Sequence, residues 1–185
     1  MKHFLQAAIC FVLLFSLTGC GIVRPLLSYS EPTEGPRAKI RIFAGAQTRI
    51  YPGDSCFNDD NDAYGFVGRG SNFFLSNRLL GIPMKPKRGA FNEYYLPAGV
   101  PVAISYYITS QDTLSSPGYV ISTKCGPIGF TFIPGQDEHY ETDYEFSSSR
   151  KFCSYTLSKI VQGADGAYKK EVMTPTPATW CPKNP

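Results

Sequence analysis

Apolar residues follow two regimes along this chain of 185 residues. From Ala7 to Leu17 they form one run without a charge, preceded by Lys2. Beyond residue 37 they alternate with polar residues in short stretches, the period of a strand with one buried face. The first, AKIRIFAGAQTRIY, sets Ile40 and Ile42 against Lys39 and Arg41, reaches a turn at Gly45 and resumes to Tyr51, which predicts a β-hairpin. Further strands are predicted over 94–96, 100–109, 118–123, 129–134, 139–146 and 151–161, with a weaker one over 167–173. Turn residues separate them at Pro97-Ala98-Gly99, Ser116-Pro117-Gly118, Pro134-Gly135 and 163–166. No long 3.6-residue apolar period occurs outside the N-terminal run. The fold expected is all-β, an antiparallel β-sandwich of about seven to eight strands with an N-terminal signal helix and one long loop.

The N-terminal run is shorter than the roughly 20 apolar residues that cross a membrane as a helix, and its layout is that of an export signal. Its last four residues, Leu17-Thr18-Gly19-Cys20, resemble the lipobox of bacterial lipoproteins. The resemblance implies cleavage before Cys20 and acylation of its thiol; an ordinary signal peptide would instead leave Cys20 free or in a disulfide. Each buried CH2 of an acyl chain contributes about 0.8 kcal/mol, so several chains on one cysteine anchor durably. On this reading residues 1–19 are the signal and 20–37 the lipidated cysteine with a flexible tether rich in Pro, Ser, Glu and Gly. Residues 38–185 are then the domain. Gly21, where an Asp would imply inner-membrane retention, implies the outer membrane.

The LPAGVPVAI segment is similar to the strand, tight turn and strand of immunoglobulin-like and transthyretin-like sandwiches. With the lipobox and the spaced cysteines, the chain resembles uncharacterised proteobacterial envelope lipoproteins. A fold-level likeness of this kind implies little about function.

The formal charge is +3, and loss of the signal removes Lys2 and no acid, leaving 17 basic against 15 acidic side chains. A balance so even, without a basic stripe, offers no footprint for nucleic acid. Six cysteines fall to four once Cys10 leaves with the signal and Cys20 is acylated: Cys56, Cys125, Cys153 and Cys181. In an oxidising envelope these imply two disulfides, with three connectivities open. The pairing expected is Cys125 with Cys153, tying neighbouring strands, and Cys56 with Cys181, pinning the tail to the long loop. Zinc is the rival use, but no CxxC pair exists and His139 is the one histidine after cleavage, so no metal or other cofactor is expected.

Candidate chemistry concentrates in the stretch 52–92, which the strand pattern leaves as a loop. Its acidic run, Asn58-Asp59-Asp60-Asn61-Asp62, resembles the start of a calcium loop. A register beginning at Asp60, however, puts Ser71 where the bidentate acid belongs, so a solvated turn is expected. Its basic and apolar cluster, Arg69, Phe73, Phe74, Arg78, Leu79, Leu80, Lys85, Lys87 and Arg88, is the candidate partner surface, set against simple packing of the apolar members.

Aromatics elsewhere, Tyr94, Tyr95, Tyr106, Tyr107, Tyr119, Tyr140, Tyr144 and Trp180, serve either as core or as stacking surfaces for sugars. Over 139–146, His139, Glu141, Asp143 and Glu145 share one face and Tyr140, Thr142, Tyr144 and Phe146 the other, which predicts a wet side and a core side. A metal site or a glycosidase acid pair is the sharper alternative. No GxSxG turn, CxxC redox pair or phosphate loop is present. The function expected is a non-enzymatic binding or assembly module, anchored through Cys20 in the membrane and engaging an envelope protein. The rivals are a glycan-binding or glycan-cleaving protein and a hydrolase inhibitor.

Overall fold

Alternating apolar positions become ten strands in a computed structural model, which describes residues 28–60, 63–67, 78–86, 89–113, 120–147 and 152–182. They are β1 (Arg37–Phe43), β2 (Gln47–Pro52), β3 (Gly65–Val67), β4 (Phe91–Pro97), β5 (Val102–Thr113), β6 (Val120–Phe132), β7 (His139–Ser147), β8 (Phe152–Gln162), β9 (Tyr168–Met173) and β10 (Thr176–Pro177). No helix occurs among the described residues, and the expected signal helix lies outside them. Two five-stranded sheets result, in the orders β4-β1-β7-β8-β9 and β10-β6-β5-β2-β3. All named pairings are antiparallel except β1 with β7, which run parallel.

The inward faces of both sheets meet in one core. Ile40, Ile42, Leu96, Tyr140 and Leu157 come from the first sheet, and Ile50, Ile104, Tyr106 and Phe130 from the second. Inward-facing Tyr106 and Thr142 satisfy each other's hydroxyls at 2.6 Å across that core. Burial drives the Tyr106 phenol far above its usual pKa, so it stays neutral there.

Two expectations change at the level of pairing. The predicted hairpin does not form: β1 and β2 belong to different sheets, and Ala44-Gly45-Ala46 carries the chain from one to the other. Both strands bury alternate residues in the same core, and alternation is identical whether the partner lies beside the strand or across the core. Gly45, at φ 117°, gives the turn a conformation that a side chain would strain. The LPAGVPVAI segment is a strand, turn and strand as expected, and it too crosses between sheets, from β4 to β5. Finally, the two strands expected over 118–123 and 129–134 are one strand, β6. Its register against β5 shifts between Tyr106 and Ile108, so the extra residue is absorbed in a bulge.

A sandwich has two open sides, each a risk for edge pairing. The side between β3 and β4 is closed by the segment expected as tether. Tyr29 is only 8% exposed; its N–H donates to the Phe66 carbonyl at 3.2 Å and its hydroxyl to the Tyr95 carbonyl at 2.9 Å. Glu31 accepts the Tyr95 N–H at 2.9 Å and pairs with Arg78. Residues 28–31 are therefore part of the fold, and Tyr29 is a core residue. Gly65 makes the approach possible, because a Cβ there would overlap the backbone of Ser28 and Tyr29. On the opposite side the chain passes from β9 directly to β10, leaving one sheet edge and joining the other.

Both disulfides pair as expected. Cys56 joins Cys181 with Cα atoms 5.0 Å apart, and Cys125 joins Cys153 at 6.4 Å. The second differs in its role from a tie between neighbouring strands: β6 and β8 lie in opposite sheets, so it staples one sheet to the other.

Candidate functional site

The outer face of the first sheet carries a row of charges set by register. Glu93 on β4, Arg41 on β1 and Glu141 on β7 stand directly opposite one another. The Arg41 guanidinium donates to Glu93 Oε1 from Nε at 3.1 Å and from Nη2 at 2.8 Å, and to Glu141 Oε2 from Nη1 at 3.0 Å. Lys170 on β9 pairs with the other oxygen of Glu141. Two cations and two carboxylates thus balance.

A strap over residues 78–82 covers the row. Leu80 and Ile82 donate their N–H groups to Glu93 Oε2, while their carbonyls accept from Lys39 Nζ at 2.8 Å and Arg41 Nη2 at 3.1 Å. Arg41, Glu93 and Glu141 end up 2%, 1% and 7% exposed. The wet side expected for Glu141 is thereby corrected: its side chain faces outward but is buried by the strap. Asp143 and Glu145, farther along β7, remain partly or fully exposed.

Beside this network lies a cleft of about 440 Å³ lined by Arg37, Lys39, Tyr95, Asp137 and His139. Arg37 stacks 4.5 Å above the Tyr95 ring. His139 Nδ1 is buried without a hydrogen-bond partner among the described residues. Burial first, and Lys39 second, hold its pKa below the ordinary value of 6.5, against the opposing pull of Glu93 and Asp137. A depressed base binds fewer protons folded than unfolded. Its contribution to stability is therefore full above about pH 6.5 and is lost as pH falls through the folded pKa. His139→Gln is expected to flatten the decline of the thermal midpoint between pH 7 and 5; a titration of midpoint against pH with an unchanged slope would contradict this.

The outer face of the second sheet holds an aromatic chain instead. Tyr64 stacks on Tyr51 with centroids 5.5 Å apart, Tyr51 lies 5.5 Å from Phe57, and Phe57 meets Trp180 edge to face at 5.7 Å. The Trp180 backbone is laced to the loop after β2. Phe57 donates its N–H to the Thr179 carbonyl at 2.8 Å, and Cys181 donates to the Phe57 carbonyl at 3.2 Å, next to the Cys56–Cys181 bridge. The indole nevertheless remains 48% exposed. Trp180 lines two depressions. One, of about 930 Å³, is bounded by Phe57, Asn58, Asp59 and Asp60. The other, of about 240 Å³, is bounded by Gln47, Arg49, Tyr51, Ser105 and Tyr107. Asp59 pairs with Arg49 at 3.2 Å, and the Tyr51 hydroxyl sits 3.5 Å from both Asp59 Oδ1 and Ser105 Oγ.

The expected partner surface is only partly covered by the structure. Arg69, Phe73, Phe74, Lys87 and Arg88 lie outside the described residues, as does Cys20. Arg78 is not a free cation on that surface, because it pairs with Glu31 and lies 5.8 Å over the Tyr94 ring. Lys85 is exposed, and so is Leu79, whereas Leu80 and Ile82 belong to the strap. The described residues of the stretch 52–92 include the Cys56 turn, β3 and the strap, so it is not a bare loop. In the acidic run, Asn58 Oδ1 accepts the Asp60 N–H at 3.1 Å in an Asx turn. No group of three metal-ligating side chains occurs among the described residues. Trp180 is among the aromatics expected as core or as a sugar-stacking surface, but its grouping with Gln47, Tyr51, Asn58 and Ser105 escapes sequence reading, since they meet through sheet pairing and a disulfide. No protein-family model, curated protein or solved structure matches the chain.

Proposed function

We propose that the chain is an exported lipoprotein, anchored through Cys20 in the outer membrane, whose folded domain is a non-enzymatic binding module of the cell envelope. Its sandwich belongs, in the same proposal, with the immunoglobulin-like or transthyretin-like class. The observation that carries the binding reading is the half-exposed Trp180, which lines two depressions and is fixed by a disulfide and two backbone hydrogen bonds. Tryptophan in particular is enriched at interfaces, and one held in place by its surroundings loses little freedom on binding. Two disulfides suit an oxidising compartment, and the LTGC sequence supplies the lipid anchor. Glu141, spent on Arg41 and Lys170 beneath the strap, is not offered to a substrate as a glycosidase acid would be.

The test is made in living cells. Wild-type protein is expected to incorporate labelled palmitate and fractionate with the outer membrane, and Cys20→Ser to do neither. A photoreactive residue at position 107, beside the smaller depression, is expected to form a defined crosslink that Trp180→Ala abolishes. Unlabelled, soluble wild-type protein overturns the anchor, and absence of any crosslink dependent on Trp180 overturns the binding module.

A further inference from the structure

We propose that the two depressions lined by Trp180 form one saccharide site, which takes a neutral or N-acetylated oligosaccharide of at least two sugar units. This inference rests on the binding-module reading and names the ligand class of that site. One face of a pyranose ring is a sheet of C–H groups whose natural partner is an exposed aromatic face. Trp180 supplies such a face, and its seating against Phe57 means that little side-chain freedom is lost when a ring settles on it. Sugar hydroxyls need donors and acceptors around that platform. The amide of Gln47, the carboxylate of Asp60 and the hydroxyl of Tyr107 provide both kinds.

Charge selects among sugars. Among the described residues the one cation lining the depressions, Arg49, is paired with Asp59 at 3.2 Å, which leaves Asp60 as surplus negative charge. A uronic acid or phosphorylated sugar would meet repulsion there, whereas a neutral or N-acetylated one does not. Trp180 lines both depressions, so a ring stacked on it can send a neighbouring unit into one of them, which sets the minimum length.

Trp180 is the only tryptophan in the chain, so indole emission reports this site alone. The full-length protein in mild detergent is titrated with the tetramer of N-acetylglucosamine, with maltotetraose and with tetragalacturonate. A saturable emission shift is expected with at least one of the first two, weaker with its monomer, and none with tetragalacturonate. By calorimetry, Trp180→Ala is expected to weaken binding about tenfold or more, the effect of losing one stacked apolar face. Trp180→Phe keeps part of the affinity, and its unchanged thermal midpoint shows that folding is intact. No response to either uncharged tetramer, preference for tetragalacturonate, or undiminished binding by Trp180→Ala overturns the inference. If a Trp180-dependent crosslink from position 107 persists while no saccharide binds, the saccharide fails and the binding module stands; if both are absent, both fail.

Discussion

Arg41→Met is expected to lower the stability of the domain by about 3–5 kcal/mol, the range for removing one partner from a buried ion pair. At about 2–4 °C per kcal/mol for a domain of this size, the thermal midpoint falls by roughly 6–20 °C. The reason is not the attraction lost but the charge left behind. Glu93 and Glu141 are almost fully buried, and without the guanidinium the partners left among the described residues are Lys170 for Glu141 and the strap's N–H groups for Glu93. Arg41→Lys recovers part of the loss, since an ammonium restores charge but cannot fork to two carboxylates at once. Replacing all three members, Arg41→Met with Glu93→Leu and Glu141→Leu, recovers more of the midpoint than Arg41→Met alone. That triple variant still leaves the Leu80 and Ile82 N–H groups without their acceptor, so protease cleavage within 78–86 should remain faster than in wild type. A midpoint within about 2 °C of wild type for Arg41→Met would show that the network contributes almost nothing.

The second large effect belongs to the Cys56–Cys181 bridge. It joins residues 125 positions apart, and the chain-entropy relation assigns such a closure about 5 kcal/mol, against about 3.5 kcal/mol for Cys125–Cys153, whose separation is 28. Cys56→Ser with Cys181→Ser is therefore expected to cost more than Cys125→Ser with Cys153→Ser in a denaturant titration. The two variants also differ in kind. Without the first bridge, residues 178–181 are held mainly by backbone bonds to Gly129 and Phe57, so Trp180 emission shifts toward that of an indole in water. Without the second, the inter-sheet staple is lost but Trp180 keeps its seat and its emission is unchanged. Equal emission from both variants would show that the bridge does not fix the indole.

Much of the fold is legible in the sequence because the period-2 pattern is strong wherever one face is buried. The strands over 139–146, 151–161 and 167–173 agree closely with β7, β8 and β9. Pairing is less legible. Ile40, Ile42 and Ile50 announce a buried face but not whether the neighbour lies beside the strand or across the core, so β1 and β2 read as a hairpin. Tyr29 escaped because one aromatic among Ser, Pro and Glu carries no period, although it seals an open edge. Glu141 reads as solvated because its cover, Leu80 and Ile82, comes from a segment with no strand pattern, and Arg41 looks like any outward-facing cation. The surroundings of Trp180 are illegible for a related reason. Trp180 stands near the end of the chain among prolines and threonines, and only the pairing of β10 with β6 and the bridge to Cys56 carry it beside Gln47 and Tyr107.

The docking of Tyr29 also sets a leash. With Cys20 carrying the lipid, as proposed, only eight residue steps separate the bilayer from the first docked residue, Ser28, and a fully extended chain covers at most about 28 Å in eight steps. The domain is then confined to a thin layer over its own membrane. A ligand displayed on that same membrane meets Trp180 at an effective concentration on the order of millimolar, so a site of modest intrinsic affinity stays occupied. Lengthening the leash by inserting Gly-Ser repeats after Gly21 would dilute such a ligand while extending the reach toward one held farther away.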